Sequence, residues 1–237
     1  MVFLRLFLYC VLLNFSHSES IVLPYEQFSE ALGIKIKAPK EVDPEALTAA
    51  QSLINKMLRN RPDLAETMRL NKADLAIIPK NFYITSLPDF VCFAGQKDSN
   101  GSLFDSFVVR GQGGVVSHPT TATSEENFFR KRPEKLRSDR LLNDGFRCED
   151  IAVHEFAHAI MNLGFSKLEK DQWNEIYLKA KEQNTFPNAF AMKNADEYWA
   201  ELSQSFFGVN NEINDKDFRS KDPQAYLFLK AVYGQDN

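Results

Sequence analysis

Apolar residues recur at helical spacing in several stretches of the chain, and this periodicity predicts helices. The clearest case is residues 151–164, a stretch that ends at a glycine. Its apolar side chains fall on one helical face, so this helix should be buried: Val153, Phe156, Ala157 and Ile160. Further helices are predicted over residues 43–60, 63–69, 168–184, 196–207 and 220–233.

Shorter runs rich in β-branched residues predict strands between the first helices and the apolar one. Residues 73–78 predict a strand that Pro79 ends, and residues 106–110 predict another. The tetrapeptide Gly-Gln-Gly-Gly at 111–114 predicts a flexible turn between elements. Residues 19–42 give a mixed pattern, and the remaining segments are expected to be extended (81–85 and 115–119) or a capped helix start (123–127). Helices and strands together indicate an α+β fold.

The apolar helix also carries the pattern His-Glu-x-x-His, at His154, Glu155 and His158. Residues four apart on a helix lie on the same side, so the two imidazoles can bind one metal ion. Glu155 projects beside them, close enough to act on a water molecule bound to that ion. Two zinc ligands and a general base at this spacing are the content of the zincin motif. The alternative interpretation is a core helix with two hydrogen-bonded histidines.

A catalytic zinc ion usually has three protein ligands, so a third ligand is expected downstream. The metzincin spacing would require a histidine where the chain has Gly164, and no histidine follows His158. The third ligand should therefore be a carboxylate. Glu197 and Glu201, one helical turn apart, are the favoured pair, because one can bind zinc while the other hydrogen-bonds an imidazole. Glu175 is the alternative ligand, and a solvated helix face bearing both glutamates is the non-functional interpretation.

The composition is that of a single globular domain. The chain has 237 residues, of which 44% are hydrophobic and 25% charged, and its net charge of −4 indicates no general attraction to nucleic acid. Residues 1–18 contain an apolar run broken early by Arg5 and followed by small residues, which is typical of a signal peptide. The run is short for a membrane anchor. We therefore expect a secreted, monomeric domain over residues 19–237, without stable membrane anchoring.

A secretory route would change the interpretation of two features in the middle of the chain. Cys92 and Cys148 would remain after removal of the signal peptide and are expected to form a disulfide, with two buried thiols as the alternative. Asn100-Gly101-Ser102 is an N-glycosylation sequon in a turn-like stretch, which predicts a surface loop. The basic run at 130–140 is interpreted as a solvated face.

The two metal-binding motifs together resemble a known family. His154-Glu-Phe-Ala-His158 followed by Asn194-Ala-Asp-Glu-Tyr-Trp-Ala-Glu201 is similar to the catalytic domain of the anthrax lethal factor family, which includes small secreted Pro-Pro endopeptidases. Residues 111–127 also resemble secreted eukaryotic members, and the resemblance covers roughly residues 75–210. It implies a zincin-like gluzincin fold, with a small twisted sheet whose edge strand lies over the His-Glu-x-x-His helix and a helical C-terminal lobe.

The resemblance also implies the roles of the site residues. One Zn²⁺ per chain would be held by His154, His158 and Glu197, with Glu155 as the general base and Glu201 hydrogen-bonded behind the ligands. In this family a catalytic tyrosine stands seven residues before the third ligand, where this chain has Phe190. A phenyl ring cannot donate a hydrogen bond to an oxyanion, and loss of such a donor typically costs about a hundred- to a thousandfold in rate.

Another group could replace the missing hydroxyl. His118 is the other histidine of the predicted mature chain and is a candidate for orienting substrate or stabilising the oxyanion. A histidine directly before a proline is more often a surface loop residue. The sequence therefore leaves the oxyanion donor open between His118 and a tyrosine brought in by folding.

Three functions are compatible with these features. The first is a secreted zinc metalloendopeptidase that binds an extended peptide along an edge strand within residues 107–117. The second, supported by Phe190, is a non-catalytic or weakly active zinc-binding protein or peptide-binding module. The third is a zinc hydrolase that acts on a non-peptide amide. Retention of Glu155 favours an enzyme, because a structural metal site has no need of a base.

Overall fold

The computed structural model describes residues 21–129, 150–210 and 212–234. Within these ranges the helices are α1 (Pro44–Leu58), α2 (Pro62–Leu70), α3 (Ile151–Ala159), α4 (Lys167–Glu182), α5 (Ala195–Phe206), α6 (Asp215–Lys221) and α7 (Pro223–Tyr233). Short 3₁₀ segments cover Ile84–Ser86, Pro88–Phe93, Glu125–Phe129 and Phe190–Lys193, and a π-helical turn, Ile160–Gly164, continues α3. The predicted signal peptide (1–18) and basic run (130–140) lie outside the described residues.

A mixed sheet packs beside these helices, with strands β1 (Gln27–Ala31), β2 (Ile34–Ala38), β3 (Asp74–Ile78), β4 (Gly111–Gln112) and β5 (Thr120–Ser124). The strand order is β1-β2-β3-β5-β4. The three inner strands run parallel, whereas β1 and β4 are antiparallel to their neighbours and form the two edges. The central strand β3 is buried from Leu75 to Ile78. The α-helices cover one of its faces, and the 3₁₀ segments at 84–93 with the chain before β4 cover the other.

Helix α3 lies between the sheet and α5. It contacts β4 and β5 on one side and α5 on the other. Asp150 caps the start of α3, since its side chain accepts a hydrogen bond from Val153 N at 3.1 Å. The apolar face predicted from the sequence is buried, as at Val153 and Phe156. Trp199 of α5 donates from its indole Nε1 to Ala157 O at 2.7 Å, which ties the two helices together.

Most predicted helices and the strand at 73–78 are confirmed, but the last predicted helix is wrong in one respect. Two helices, α6 and α7, stand where one was predicted over residues 220–233, and α6 begins earlier, at Asp215. The break falls at Asp222-Pro223. Pro223 has no amide hydrogen to continue a helix, and Asp222 instead caps α7 by accepting from Ala225 N at 2.9 Å.

The segments next to α3 also differ from the sequence prediction. Residues 106–110 form no strand; Phe107 packs its ring 4.7 Å from that of Tyr83, and the strand begins one residue later at Gly111. The tetrapeptide 111–114 is therefore partly strand rather than a flexible turn. The other two corrections are residues 81–85, which enter a 3₁₀ turn, and residues 120–124, which form β5 before the 3₁₀ segment at 125–129.

The β1–β2 hairpin was missed in the mixed region at 19–42. Its two-residue turn is Leu32-Gly33, with φ of 52° and 78°, the left-handed values that tight hairpins require. In β2, Ile34, Ile36 and Ala38 are buried while the lysines between them are not. This alternation is a strand signal that was present in the sequence.

The predicted disulfide and the predicted absence of a membrane anchor can be compared with only part of the chain. Cys92 is exposed, and its predicted partner Cys148 lies outside the described residues, so the disulfide stays a prediction. Across the ranges that the structure describes, none of the helices has both the length and the apolar character needed to cross a bilayer.

A buried ion pair fixes the segment that leads into β4. The Arg110 guanidinium donates two hydrogen bonds to the Glu126 carboxylate, at 2.7 and 3.0 Å. It also donates to the backbone oxygens of Phe82 and Pro79, at 2.6 and 3.4 Å. Both partners of the pair are buried. Arg110 therefore joins the chain before β4 to the end of β3 and to the segment after β5.

We predict that Arg110→Met lowers the free energy of unfolding by about 3–5 kcal/mol, because Glu126 would stay buried without its partner. Urea denaturation followed by circular dichroism measures the change. Arg69→Met is the matched control, since Arg69 and Glu66 form an exposed pair. Equal stability of the two variants would contradict the role given to Arg110.

Candidate metal centre

Two helices bring three metal-ligating side chains to one point. His154 and His158 lie one turn apart on α3, with their Nε2 atoms separated by 3.1 Å. Glu197 lies in the first turn of α5, which Asn194 caps by accepting from Glu197 N at 2.8 Å. Glu197 Oε2 lies 3.2 Å from His154 Nε2 and 3.4 Å from His158 Nε2. Among the described residues, this trio is a group that could hold a metal ion.

The geometry fits a tetrahedral zinc ion. Two ligand atoms that each lie about 2.0–2.1 Å from zinc are separated by about 3.3 Å at the tetrahedral angle. The three observed separations run from 3.1 to 3.4 Å. Glu197 Oε2 is also buried and has no hydrogen-bonding partner in the described part of the chain. A buried carboxylate oxygen in that state is costly unless a cation binds it.

Two further residues hold His154 from behind. Its Nδ1 lies 3.1 Å from Glu201 Oε1, so the proton sits on Nδ1 and Nε2 is left for the metal. The other Glu201 oxygen accepts from Asn210 Nδ2 at 2.6 Å. Glu201 is buried, as the predicted role behind the ligands requires. Asn210 was not singled out from the sequence, because it follows the end of α5 and belongs to no motif.

The backbone of β4 passes directly over α3. A Cβ atom at Gly113 would lie 2.4 Å from His158 Cβ, and one at Gly111 would lie 2.5 Å from Glu155 Cγ. Only glycine permits so close an approach. The approach also has an electrostatic consequence: burial raises the pKa of Glu155, and the Gly113 backbone amide acts against that rise. The glycines thus let the backbone pack directly against the candidate base, a role that the sequence pattern alone did not reveal.

The cluster has unusual electrostatics. Desolvation would lower the pKa of His154, but the adjacent carboxylates of Glu197 and Glu201 outweigh it and raise this pKa well above its ordinary value. Burial would raise the pKa of Glu197, yet the two imidazoles close to its carboxylate hold this pKa well below the usual range. Burial raises the pKa of Glu155, against the opposing effect of the histidines. A carboxyl with a raised pKa is suited to accept and return a proton.

A cavity of about 430 Å³ opens in front of the ligands. The candidate ligands, Glu155 and both residues of β4 line it. Its apolar wall includes Val108, Ile151 and Phe190, and its polar rim includes Asp98, Asn100 and Glu212. The edge strand β4 and the three candidate metal ligands therefore line the same cavity.

Of four further residues considered from the sequence, two line the cavity and two do not. Phe190 and Asn100 line the cavity, whereas His118 does not. The His118 ring instead packs edge-on against Phe90 and Phe93, with centroid separations of 4.7 and 5.2 Å. Glu175, the alternative third ligand, lies on the exposed side of α4. The structure therefore brings neither His118 nor Glu175 to the metal centre.

The chain is similar in fold to solved structures. One of them is the structure of the Pro-Pro endopeptidase PPEP-2 from Paenibacillus alvei, with a TM-score of 0.55 and 15% sequence identity. The similarity covers 82% of this chain and 95% of that one. No protein-family model matches the chain, and no curated protein does. At this level of identity the likeness shows a related α+β fold with a small mixed sheet.

We predict that Glu197→Ala abolishes stoichiometric zinc binding, because two imidazoles would remain without the carboxylate. Glu175→Ala is the control and should bind one zinc ion per chain like the unmodified protein. Metal analysis after dialysis against a weak chelator measures both. If Glu175→Ala lost zinc and Glu197→Ala kept it, Glu175 would be the third ligand and the assignment of Glu197 would be wrong.

We also predict that Gly113→Ala weakens zinc binding by about tenfold or more, as expected when the support of a ligand is disturbed. The added methyl group would push against His158 Cβ and Glu155 O, neither of which can move freely. Gly164→Ala provides a control at the other end of the motif helix, where the nearest atoms belong to the flexible side chains of Met68 and Leu64. Competition with a fluorescent zinc chelator gives the affinities, and equal values for both variants would contradict the close approach of β4.

Proposed function

We propose that the chain is a zinc-dependent metalloendopeptidase. The observation that carries the proposal is the convergence of His154, His158 and Glu197 on one point, with Glu155 beside them in the same cavity. When bound there, zinc would activate a water molecule and polarise the peptide carbonyl. The shared fold with a Pro-Pro endopeptidase supports the same class of reaction.

In the proposed reaction the chain's own residues handle the protons. Glu155 accepts a proton from the attacking water as the new C–O bond forms at the carbonyl carbon. It then delivers that proton to the amide nitrogen as the C–N bond breaks. The backbone at Gly111 packs against the Glu155 side chain, and Glu201 keeps His154 in the ligating tautomer.

The proposed substrate is a peptide or protein segment in extended conformation. β4 is an edge strand of the sheet and lines the cavity, so its free side can pair with a peptide main chain. The edge strand was expected within residues 107–117, and β4 falls inside that range. Since the structural neighbour is called a Pro-Pro endopeptidase, peptides that contain Pro-Pro are the first to test. We further propose a secreted monomer, on the strength of the predicted signal peptide.

A second function has one observation in its favour. Phe190 lines the cavity at the position where the resembled family has a catalytic tyrosine, and its side chain is 39% exposed. A phenyl ring there supports a zinc-binding protein that is inactive or slow. The zinc site itself is the same under both functions, so activity decides between them.

We predict that the zinc-loaded protein cuts members of a peptide library that includes Pro-Pro sequences, and that Glu155→Gln abolishes cutting while it retains one zinc ion per chain. The amide is isosteric with the carboxylate but cannot accept the proton. Mass spectrometry identifies the products, and metal analysis of the same samples confirms loading. Equal inertness of both zinc-loaded proteins would favour the second function.

We predict that Phe190→Tyr raises kcat by about tenfold or more, as an added oxyanion donor should. Phe190→Leu, which adds no donor, is the control and should not raise kcat. An unchanged rate in Phe190→Tyr would mean that another group already donates to the oxyanion.

A further inference from the structure

The side chain of Lys193 is fixed beside the metal centre. Its ammonium donates to Asn100 Oδ1 at 2.5 Å and lies 3.9 Å from Glu197 Oε1. It also lies 5.3 Å from the centre of the Phe190 ring. Because Oε2 is the Glu197 atom that faces the imidazoles, Lys193 occupies the opposite side of this carboxylate. Lys193 therefore joins Glu197 of α5 to the short hairpin at residues 97–103, which carries Asn100 and is closed by an antiparallel bridge between its two ends.

This contact settles the orientation of the Asn100 amide. A lysine ammonium has three donors and no acceptor, so the atom that faces it must be the amide oxygen. The Asn100 Nδ2 group then points away from Lys193, and within the described ranges it makes no hydrogen bond that involves Lys193 or the hairpin backbone. Asn100 is exposed and lines the cavity. Among the described residues none bonds to Nδ2, so its two hydrogens remain free to donate to a ligand in the cavity.

The hairpin tip that carries Asn100 is itself ordered by hydrogen bonds. The Asp98 carboxylate accepts from the backbone amides of Asn100 and Ser102, both at 2.8 Å. The backbone amide of Asp98 donates to Ser102 O, also at 2.8 Å. Backbone and side chain of Asn100 are therefore both held in place, and a donor held in this way loses little entropy on binding.

We propose that Asn100 binds substrate, by donating a hydrogen bond from Nδ2 to a main-chain carbonyl oxygen of a peptide in the cavity, and that Lys193 is the positioning residue that orients it. The inference rests on the proposed function, since it requires a peptide in this cavity. In this proposal the bound peptide contacts β4 with one edge of its main chain and the Asn100 amide with the other. Recognition is of the main chain and does not depend on the substrate side chain.

The same nitrogen is the atom that N-glycosylation of the sequon would modify. Nδ2 cannot both carry a glycan and present its donors freely to a peptide. The inference therefore requires that Asn100 be unmodified in the active protein. Ser102→Ala separates the two roles, because it destroys the sequon and leaves both Asn100 and its contact with Lys193 intact.

The test measures peptide binding without turnover. Every variant is made in a zinc-loaded Glu155→Gln background, and the probe is the library peptide that the unmodified protein cuts fastest. Calorimetry gives the dissociation constant for Asn100→Ala, Asn100→Asp, Lys193→Met, the double variant Asn100→Ala with Lys193→Met, and the control Ser102→Ala. Zinc content and thermal midpoint are recorded for each.

Asn100→Ala should weaken binding about 3- to 10-fold, the usual range for one hydrogen bond, and Asn100→Asp should weaken it further because a carboxylate repels the carbonyl. Ser102→Ala should bind like the parent. Lys193→Met should weaken binding, and the double variant should be no weaker than Asn100→Ala alone, because Lys193 acts through Asn100. A fall in thermal midpoint without this pattern would indicate a merely structural role and would overturn the inference.

Three other outcomes would also overturn it. These are equal binding by Asn100→Ala and Ser102→Ala, additive losses in the double variant, and a glycan on Asn100 of secreted protein that leaves peptide binding unchanged. If the zinc-loaded protein cuts no peptide in the library, the proposed function fails and this inference fails with it. If it cuts peptides and Asn100→Ala binds normally, only the inference fails.

Discussion

The packing of α5 against α3 is the constraint on which the candidate site depends. The two histidines come from one helix and the third ligand from the other, so a small rotation of either would separate the ligand atoms. The indole of Trp199 fixes the relation, because it donates to Ala157 O within α3 and packs edge-to-face against aromatic rings that include Trp173 and Phe165. The burial of large aromatic side chains thereby positions the candidate ligands on the two helices relative to each other. Glu201, four residues after Glu197, extends the same contact to the back of His154.

The second constraint is the close approach of the sheet edge to the same helix. Gly111 and Gly113 let the backbone pack against Glu155 and His158, at distances that a Cβ atom would not allow. The Arg110–Glu126 pair fixes the chain immediately before the glycines. Because both residues of the pair are buried, the segment cannot relax away from α3 without exposing an unpaired charge to the interior. Substrate binding by β4 and proton transfer by Glu155 would thus share one rigid element.

The candidate ligands and base could be predicted from the sequence, whereas the segments that surround them could be predicted only in part. Helical spacing placed His154, Glu155 and His158 on one face, and the pair at Glu197 and Glu201 could be recognised because both lie on a predicted amphipathic helix. The edge strand was expected within residues 107–117, but the strand predicted at 106–110 ended before β4 begins, since two residues of Gly-Gln carry no periodicity and a glycine-rich segment ordinarily predicts a turn. The hairpin before α1 was missed although its alternation was visible. Asn210 and Lys193 could not be found, because their roles arise from contacts between segments that are distant in the chain or lie outside any motif.

The central claim is that His154, His158 and Glu197 form one zinc centre. Crystals grown with zinc, measured on both sides of the zinc absorption edge, test it directly. The account predicts a single strong anomalous peak about 2.0–2.2 Å from both histidine Nε2 atoms and from a carboxylate oxygen of Glu197. Zinc at full occupancy elsewhere, with no peak between these three side chains, would contradict it.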